Sequence, residues 1–155
     1  MDTNSLKSGT ALTRLNSPKW AAQSVLAALN AGKISEALDQ FNDQFVYIDY
    51  ALGLEFVDKL RLREFFHKSR ELFPDTVVQV NATFECEDHA LVEWTMTYTQ
   101  TLSQRPLPYQ VPVSLPGVSI VHVENGKISH WRDYYDQLAS RRNNLGALFT
   151  EWTEY

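Results

Sequence analysis

Two strand-like stretches carry the side chains that could do chemistry. The first is GVSIVHVENGKISHWRDYYD, Gly117 to Asp136. It reads as two strands joined at Glu124-Asn125-Gly126, because Asn and Gly tolerate the positive φ angles that tight hairpins need. Alternation along its return strand, Lys127 to Tyr135, puts Ser129, Trp131, Asp133 and Tyr135 on one face. The other face carries Ile128, His130, Arg132, Tyr134 and Asp136, so each face holds a carboxylate among aromatic rings. The second stretch is FVYIDY, Phe45 to Tyr50, in which Phe45, Tyr47 and Asp49 share a face. A carboxylate shielded by apolar rings is harder to ionise and can exchange protons near neutral pH. A purely structural strand would more often bury Val or Ile at such positions.

The chemistry that other residues could supply is narrower. His67, His89, His122 and His130 are dispersed and form no HxH or HExxH spacing, so no metal site is expected. No nucleophile elbow, phosphate-binding loop or dinucleotide fingerprint occurs, and no cofactor is expected. The single cysteine, Cys86, excludes an intrachain disulfide and reads as a small buried strand residue.

The elements that must position these residues are legible in outline. At 155 residues, with 44% apolar and 21% charged side chains, the chain fits one domain with a real core. Residues 1–16 are polar and aperiodic and read as a tail. Ser17-Pro18 starts a helix with the stripe Trp20, Ala21, Val25, Ala28 and Leu29, ended by Gly32. A short helix from Ser35 to Phe41 follows, burying Ala37, Leu38 and Phe41, and then the strand Phe45 to Tyr50. Asp58 caps a third helix, Lys59 to Phe73, with Leu62, Phe65, Phe66 and Ser69 at helical spacing and Pro74 beyond it. Its Arg61, Arg63, Lys68 and Arg70 read as a wet face pairing with Glu64 and Glu71. Strands are expected at Val77–Cys86 and His89–Leu102. Pro106-Leu107-Pro108 interrupts the sheet. A strand from Tyr109 carries Pro112 and Pro116, which predicts an irregular or edge position. Residues 137–155 read as a C-terminal helix with Leu138, Leu145, Leu148, Phe149 and Trp152 as its stripe. Early helices and late antiparallel strands predict an α+β plan, a curved sheet with helices against one side.

This order resembles the nuclear-transport-factor-2-like superfamily, in particular its SnoaL-like polyketide cyclases and limonene epoxide hydrolases. The resemblance spans about Pro18 to Asp136. It rests on GKISHWRDYYD, Gly126 to Asp136, which is similar to the hydrolase pattern GKI…WRDYFD, and on FNDQFVYID, Phe41 to Asp49. The resemblance implies a cone, a strongly curved and mostly antiparallel sheet wrapped around N-terminal helices in a cystatin-like α+β barrel, within a single domain of residues 17–136. It also implies a pocket for a hydrophobic, oxygen-bearing small molecule and a homodimer formed through the sheet. The Asp of the hydrolases' WRD segment corresponds to Asp133. Their water-holding Tyr corresponds to Tyr47, and the neighbouring Asn is replaced by Asp49, which also falls at the place of the general base in the related ketosteroid isomerases. The hydrolases' other Asp and their Arg have no match in LVEWTMTY, Leu91 to Tyr98, so the Asp–Arg–Asp arrangement is incomplete.

In such a cone Asp49 and Asp133 both look inward, which makes Asp133 the candidate catalytic carboxylate, Asp49 its partner and Tyr47 the group that orients water or a substrate oxygen. Trp131, Tyr135, Trp94 and Phe66 are candidate walls. Each has a structural alternative: Asp133 hydrogen-bonded by Arg or Tyr, Asp49 capping its loop, and the rings simply packing. Glu93 is a weak candidate for the missing acid beside the simpler reading of a solvated sheet face. The expected function is cofactor-independent acid/base chemistry, as in an isomerase, cyclase, dehydratase or epoxide hydrolase, with a non-catalytic ligand-binding or dimerisation module as the alternative. A net charge of −5 argues against nucleic-acid and anionic-membrane partners. No apolar run approaches the ~20 residues of a membrane span, and the N-terminal residues lack a signal-type apolar segment. A soluble, cytoplasmic protein is therefore expected.

Overall fold

The computed structural model describes residues 17–102 and 108–138. The expected tail at 1–16, Pro106 and Leu107 of the proline segment, and the expected helix beyond Leu138 lie outside the described residues. Gln137 and Leu138 themselves form a turn. Three helices and six strands follow in the order α1 (Pro18–Asn30), α2 (Ile34–Leu38), β1 (Phe41–Asp49), β2 (Leu54–Phe56), α3 (Lys59–Leu72), β3 (Val77–Cys86), β4 (His89–Leu102), β5 (Tyr109–Glu124) and β6 (Lys127–Tyr135).

Local chemistry sets the helix ends. The Ser17 hydroxyl accepts from the Trp20 amide and Pro18 opens α1. At its other end Gly32, with φ +72°, lets its own amide reach Leu29 O and the Lys33 amide reach Ala28 O. This closes the last turn on otherwise unpaired carbonyls. The buried stripe of α1 is Ala21, Ala22, Val25, Leu26 and Ala28. Trp20 lies off it and is exposed, contrary to expectation. The short helix α2 stops at Leu38, and Phe41 is instead the first residue of β1. The Asp58 carboxylate accepts from the Arg61 amide to start α3, which buries Leu62 and Phe66.

The six strands form one sheet in the order β2-β1-β6-β5-β4-β3. All neighbours are antiparallel except β1 and β6, which are parallel. The result is the expected α+β cone. Its inner face and the helices enclose a core that includes Val25, Leu26, Leu38, Phe41, Phe45, Leu62, Val92, Val121, Ile128 and Trp131. The β5–β6 turn has Asn125 and Gly126 at φ 53° and 78°, which is the backbone the sequence signal requires.

Three features depart from expectation. The strand from Tyr109 is continuous with the hairpin strand, giving one 16-residue β5 paired with β4 from Tyr109 to His122. Pro112 and Pro116 share parity and sit where β5 has not yet met β6, whose pairing begins at Gly117. Among the described residues their missing N–H groups therefore cost no bond, so the edge character that prolines predict holds locally. Strand β2 is an addition that pairs with the end of β1. A bulge in β6 lies between the pairs Val123–Ile128 and His122–His130, so Ser129 is extra. Ile128 takes the inward place in the core, and the Ser129 hydroxyl instead meets the rings of His122 and His130. Among the described residues no helix is long and apolar enough to cross a membrane.

Candidate functional site

Parity along the strands brings the candidate residues together. Asp49 is the register partner of Asp133 across the parallel β1–β6 pair, and Tyr47 is the partner of Trp131. Opposed residues on neighbouring strands point to the same face, which here is the concave one. Tyr47, Asp49, Phe66, Trp94, Trp131, Asp133 and Tyr135 all line one cavity of about 520 Å³. Helices α1 and α3 close it with Leu26, Leu29, Phe65 and Phe66. The Tyr47 ring stacks on Trp131, with centroids 6.2 Å apart at 10°, and meets Phe66 edge-on at 5.7 Å.

Asp133 is 8% exposed and receives three donors. Tyr47 Oη donates to Oδ2 at 2.5 Å, while Ser119 Oγ and Trp131 Nε1 donate to Oδ1 at 2.5 and 2.6 Å. Trp94 Nε1 donates in turn to Ser119 Oγ at 2.8 Å. Burial pushes the Asp133 carboxyl up to about 6, although its three donors pull the other way and Asp49 adds a further push upward. Asp49 is 4% exposed and has fewer donors from side chains. Its Oδ1 accepts from the Leu52 amide at 2.8 Å and its Oδ2 from Tyr135 Oη at 2.9 Å. Burial raises its carboxyl above the usual range, and the Leu52 and Tyr135 bonds moderate the rise. Burial, with the neighbouring carboxylates, also holds both tyrosine hydroxyls well above their ordinary value, so both remain protonated donors.

The structural alternatives weighed from the sequence are therefore present too: Asp49 does cap its loop, and a tyrosine does bond Asp133. The arrangement nevertheless gives two desolvated carboxyl groups, each joined to a phenol, inside one largely apolar space. A carboxyl group near neutrality in its proton affinity can accept or return a proton, and the linked phenols can donate to an oxygen that gains charge.

The register of β4 settles its inward set. Val92, Trp94, Met96 and Tyr98 alternate with Glu93, which is exposed and paired with Ala82 and Val118 on the outer face. No carboxylate or arginine projects inward from β4, so an Asp–Arg–Asp arrangement on that strand is not assembled among the described residues. Ser119 was missed by sequence reasoning; the available signal was a serine at the inward parity of an otherwise apolar strand. Arg70 is expected on the wet face of α3. Instead it lines the cavity and donates from Nη1 to Leu29 O at 3.0 Å, closing the end of α1. Lys68 and Glu71 do pair, at 3.8 Å across exposed side chains. Cys86, expected to be buried, is exposed.

A model of the SnoaL-like domain matches residues 22–131. No curated protein is matched by the chain. Among solved structures the chain is similar to IdmH, a proposed polyketide cyclase from Streptomyces antibioticus. The TM-score is 0.71 and the identity 15%, over 83% of this chain and 98% of that one. It is also similar to a limonene-epoxide-hydrolase-like epoxide hydrolase of M. tuberculosis (TM-score 0.65, 17% identity, 89% and 96% covered). A third is a protein of ketosteroid isomerase-like fold from Catenulispora acidiphila (TM-score 0.63, 16% identity, 77% and 88% covered). At these identities the likeness is one of fold.

Proposed function

The chain belongs to the SnoaL-like domain family, and from that premise we propose that it is a cofactor-independent enzyme that moves a proton within a hydrophobic, oxygen-bearing small molecule. Isomerisation or cyclisation through an enol is the best-supported reaction class. The observation that carries this reading is the crossed arrangement in which Tyr47 bonds Asp133 and Tyr135 bonds Asp49 within one cavity.

The geometry favours a division of labour. Sequence reasoning gave Asp133 the leading role, but its three donors make it the better held of the two carboxylates. Asp49 is the base: it takes a proton from the carbon beside a substrate carbonyl. The electron pair of that C–H bond forms a double bond to the carbonyl carbon, and the π pair of the C=O bond moves onto the oxygen. Tyr47 donates to that oxygen, and Asp133 in its protonated form turns its own O–H toward Tyr47, freeing the phenol to point at the substrate. Asp49 then returns the proton to a second carbon. Trp131, Trp94, Phe66 and Tyr135 exclude water and hold the apolar body of the substrate. Epoxide opening is the least supported member of the class, because β4 offers no inward acid or arginine.

The reading is tested by incubating the protein in D₂O with a panel of cyclic and polyketide-like ketones and following α-proton exchange by NMR. Catalysed exchange that disappears in Asp49→Asn supports it. Saturable binding of the same ketones without any exchange would sink it and leave a ligand-binding module of the same fold.

A homodimer through the outer sheet face belongs to the same proposal. Phe84, Leu91 and Tyr134 are exposed on that face, and Ile48 and Ile120 lie beside Arg132 as its register partners. Among the described residues Arg132 Nε is buried without a hydrogen-bond partner, which suits a surface completed by a second copy. Sedimentation of the wild-type chain as a dimer and of Ile120→Arg as a monomer is expected; a wild-type monomer would refute the assembly.

A further inference from the structure

The four histidines are far apart in sequence, yet three of them meet on the outer face. His89 on β4 is the register partner of His122 on β5, which is the partner of His130 on β6. Cys86 on β3 is the partner of His89 and extends the same row. Directly opposed residues project to the same side of a sheet, so the row runs across the outer surface, on the opposite side from the cavity that holds Asp49 and Asp133. The rings of His89 and His122 are parallel, with centroids 4.3 Å apart at 12°.

The β3–β4 turn places Asp88 over this pair. Its backbone carbonyl accepts from the Val123 amide at 2.8 Å, fixing the turn onto β5. One carboxylate oxygen lies 2.6 Å from His89 Nδ1 and the other 2.9 Å from His122 Nε2. One donor atom from each of Asp88, His89 and His122 thus falls within 4.8 Å of the others. The far nitrogen of His122 is oriented as well: Nδ1 lies 3.1 Å from the Ser129 hydroxyl and 3.6 Å from the Glu124 carboxylate. A hydroxyl or carboxylate on the remote nitrogen is what fixes the ring of a metal-binding histidine. The bulge that makes Ser129 extra supplies that hydroxyl.

We propose that Asp88, His89 and His122 form a surface site for a divalent transition-metal ion of the zinc class. Two imidazole nitrogens and one carboxylate are a donor set for such ions. Tetrahedral arms of about 2.1 Å set donors ~3.4 Å apart, so the two nitrogen–oxygen contacts open by about half to four-fifths of an ångström to admit the ion. Glu124 adds negative charge, and the exposed edge of His89 leaves coordination positions open for water or for a further ligand.

The experiment is a zinc titration of the chelator-treated full chain by calorimetry, with thermal unfolding of the same samples. One zinc ion per chain is expected, with a rise in Tm on loading. His89→Ala and His122→Ala should each weaken binding at least about tenfold, while His67→Ala on α3 should bind as the wild type does. His89 is the more exposed of the two ligands, so its variant reads out the site even if the His122 variant folds poorly. Absence of saturable binding by the wild-type chain, or binding undiminished in His89→Ala, would overturn the proposal.

Discussion

Asp49 and Asp133 stand opposite one another on the parallel strands β1 and β6, and each carboxylate is held by a tyrosine from the other's strand. The crossing follows from parity: Tyr47 is two residues before Asp49 on β1, and Tyr135 is two residues after Asp133 on β6, so all four share the inward face. Each phenol thereby reaches across the strand gap to the neighbouring acid. Two like charges in one apolar space resist joint ionisation, and the crossed phenols let the pair persist there. The two acids differ in their remaining partners, and that difference separates their expected roles.

Asp49→Asn removes the proposed base with little change in packing. The side-chain carbonyl can still accept from the Leu52 amide, and the new amide can donate to Tyr135 Oη. Ketone exchange should fall by about 10²- to 10⁴-fold, with stability within about 1 kcal/mol of wild type. Exchange rates and urea unfolding on the same preparation check both halves. An exchange rate unchanged in a folded Asp49→Asn protein would remove Asp49 from the mechanism.

Tyr47→Phe leaves Asp133 Oδ2 without its donor while keeping the ring that stacks on Trp131. Loss of a hydrogen bond to a buried charged group costs about 1.5–3 kcal/mol near neutral pH. The same loss removes one of the bonds that lower the Asp133 carboxyl, so its titration should move further upward. Carbon-13 NMR of the carboxylate reads this shift. A midpoint unchanged or lowered in the variant would show that the phenol does not stabilise the ionised form.

The proton affinity of Asp133 also dictates how stability varies with pH. Its carboxyl is raised from the ordinary 3.8 to about 6 in the fold. Between those values the folded chain binds more protons than the unfolded chain, so stability falls as pH rises through this window and levels off above it. At 1.36 kcal/mol per pH unit the loss is on the order of 3 kcal/mol. Measured by urea unfolding, the stability of wild type minus that of Asp133→Asn should decrease from pH 4 to pH 7, because the variant lacks this titration. A difference that stays flat or rises with pH would contradict a raised carboxyl.

What the sequence makes legible is what local chemistry decides. The Ser17-Pro18 and Asp58 caps, the Asn125-Gly126 turn, and the shared faces of Tyr47 with Asp49 and of Trp131 with Asp133 and Tyr135 follow from residue type and spacing alone, whereas their inward direction is what the family resemblance implies. What escapes it depends on pairing between distant segments. Ser129 looks inward by alternation, and only the register of β6 against β5 reveals the bulge that turns it out. The prolines of β5 look disruptive until β6 is known to end opposite Gly117, which leaves that edge unpaired among the described residues. The row from Cys86 to His130 is invisible in sequence because its members are adjacent only through three ladders. Trp20 misleads because a large apolar residue at helical spacing need not face the core.

Gly117 links the sheet to the site through an absence. It is the register partner of both Trp94 on β4 and Tyr135 on β6. A Cβ at this position would lie 2.2 Å from the Trp94 ring, with two further ring atoms at 2.5 and 2.6 Å. The indole therefore lies over the bare backbone of β5, and from there its Nε1 reaches Ser119, which holds Asp133. The ring is 4% exposed and packed in the core, so it has no free space to move into. Gly117→Ala should cost about 1–3 kcal/mol by overpacking and shift Trp94 off Ser119. Trp94→Phe in the same background removes part of the clashing indole and should recover some of that stability, but not the bond to Ser119. Urea unfolding of the two single variants and the double variant, with the indole N–H resonance of Trp94 as a local probe, tests the coupling. A Gly117→Ala protein of wild-type stability with an unshifted indole resonance would show that the close approach of ring and backbone is not what holds this side of the site.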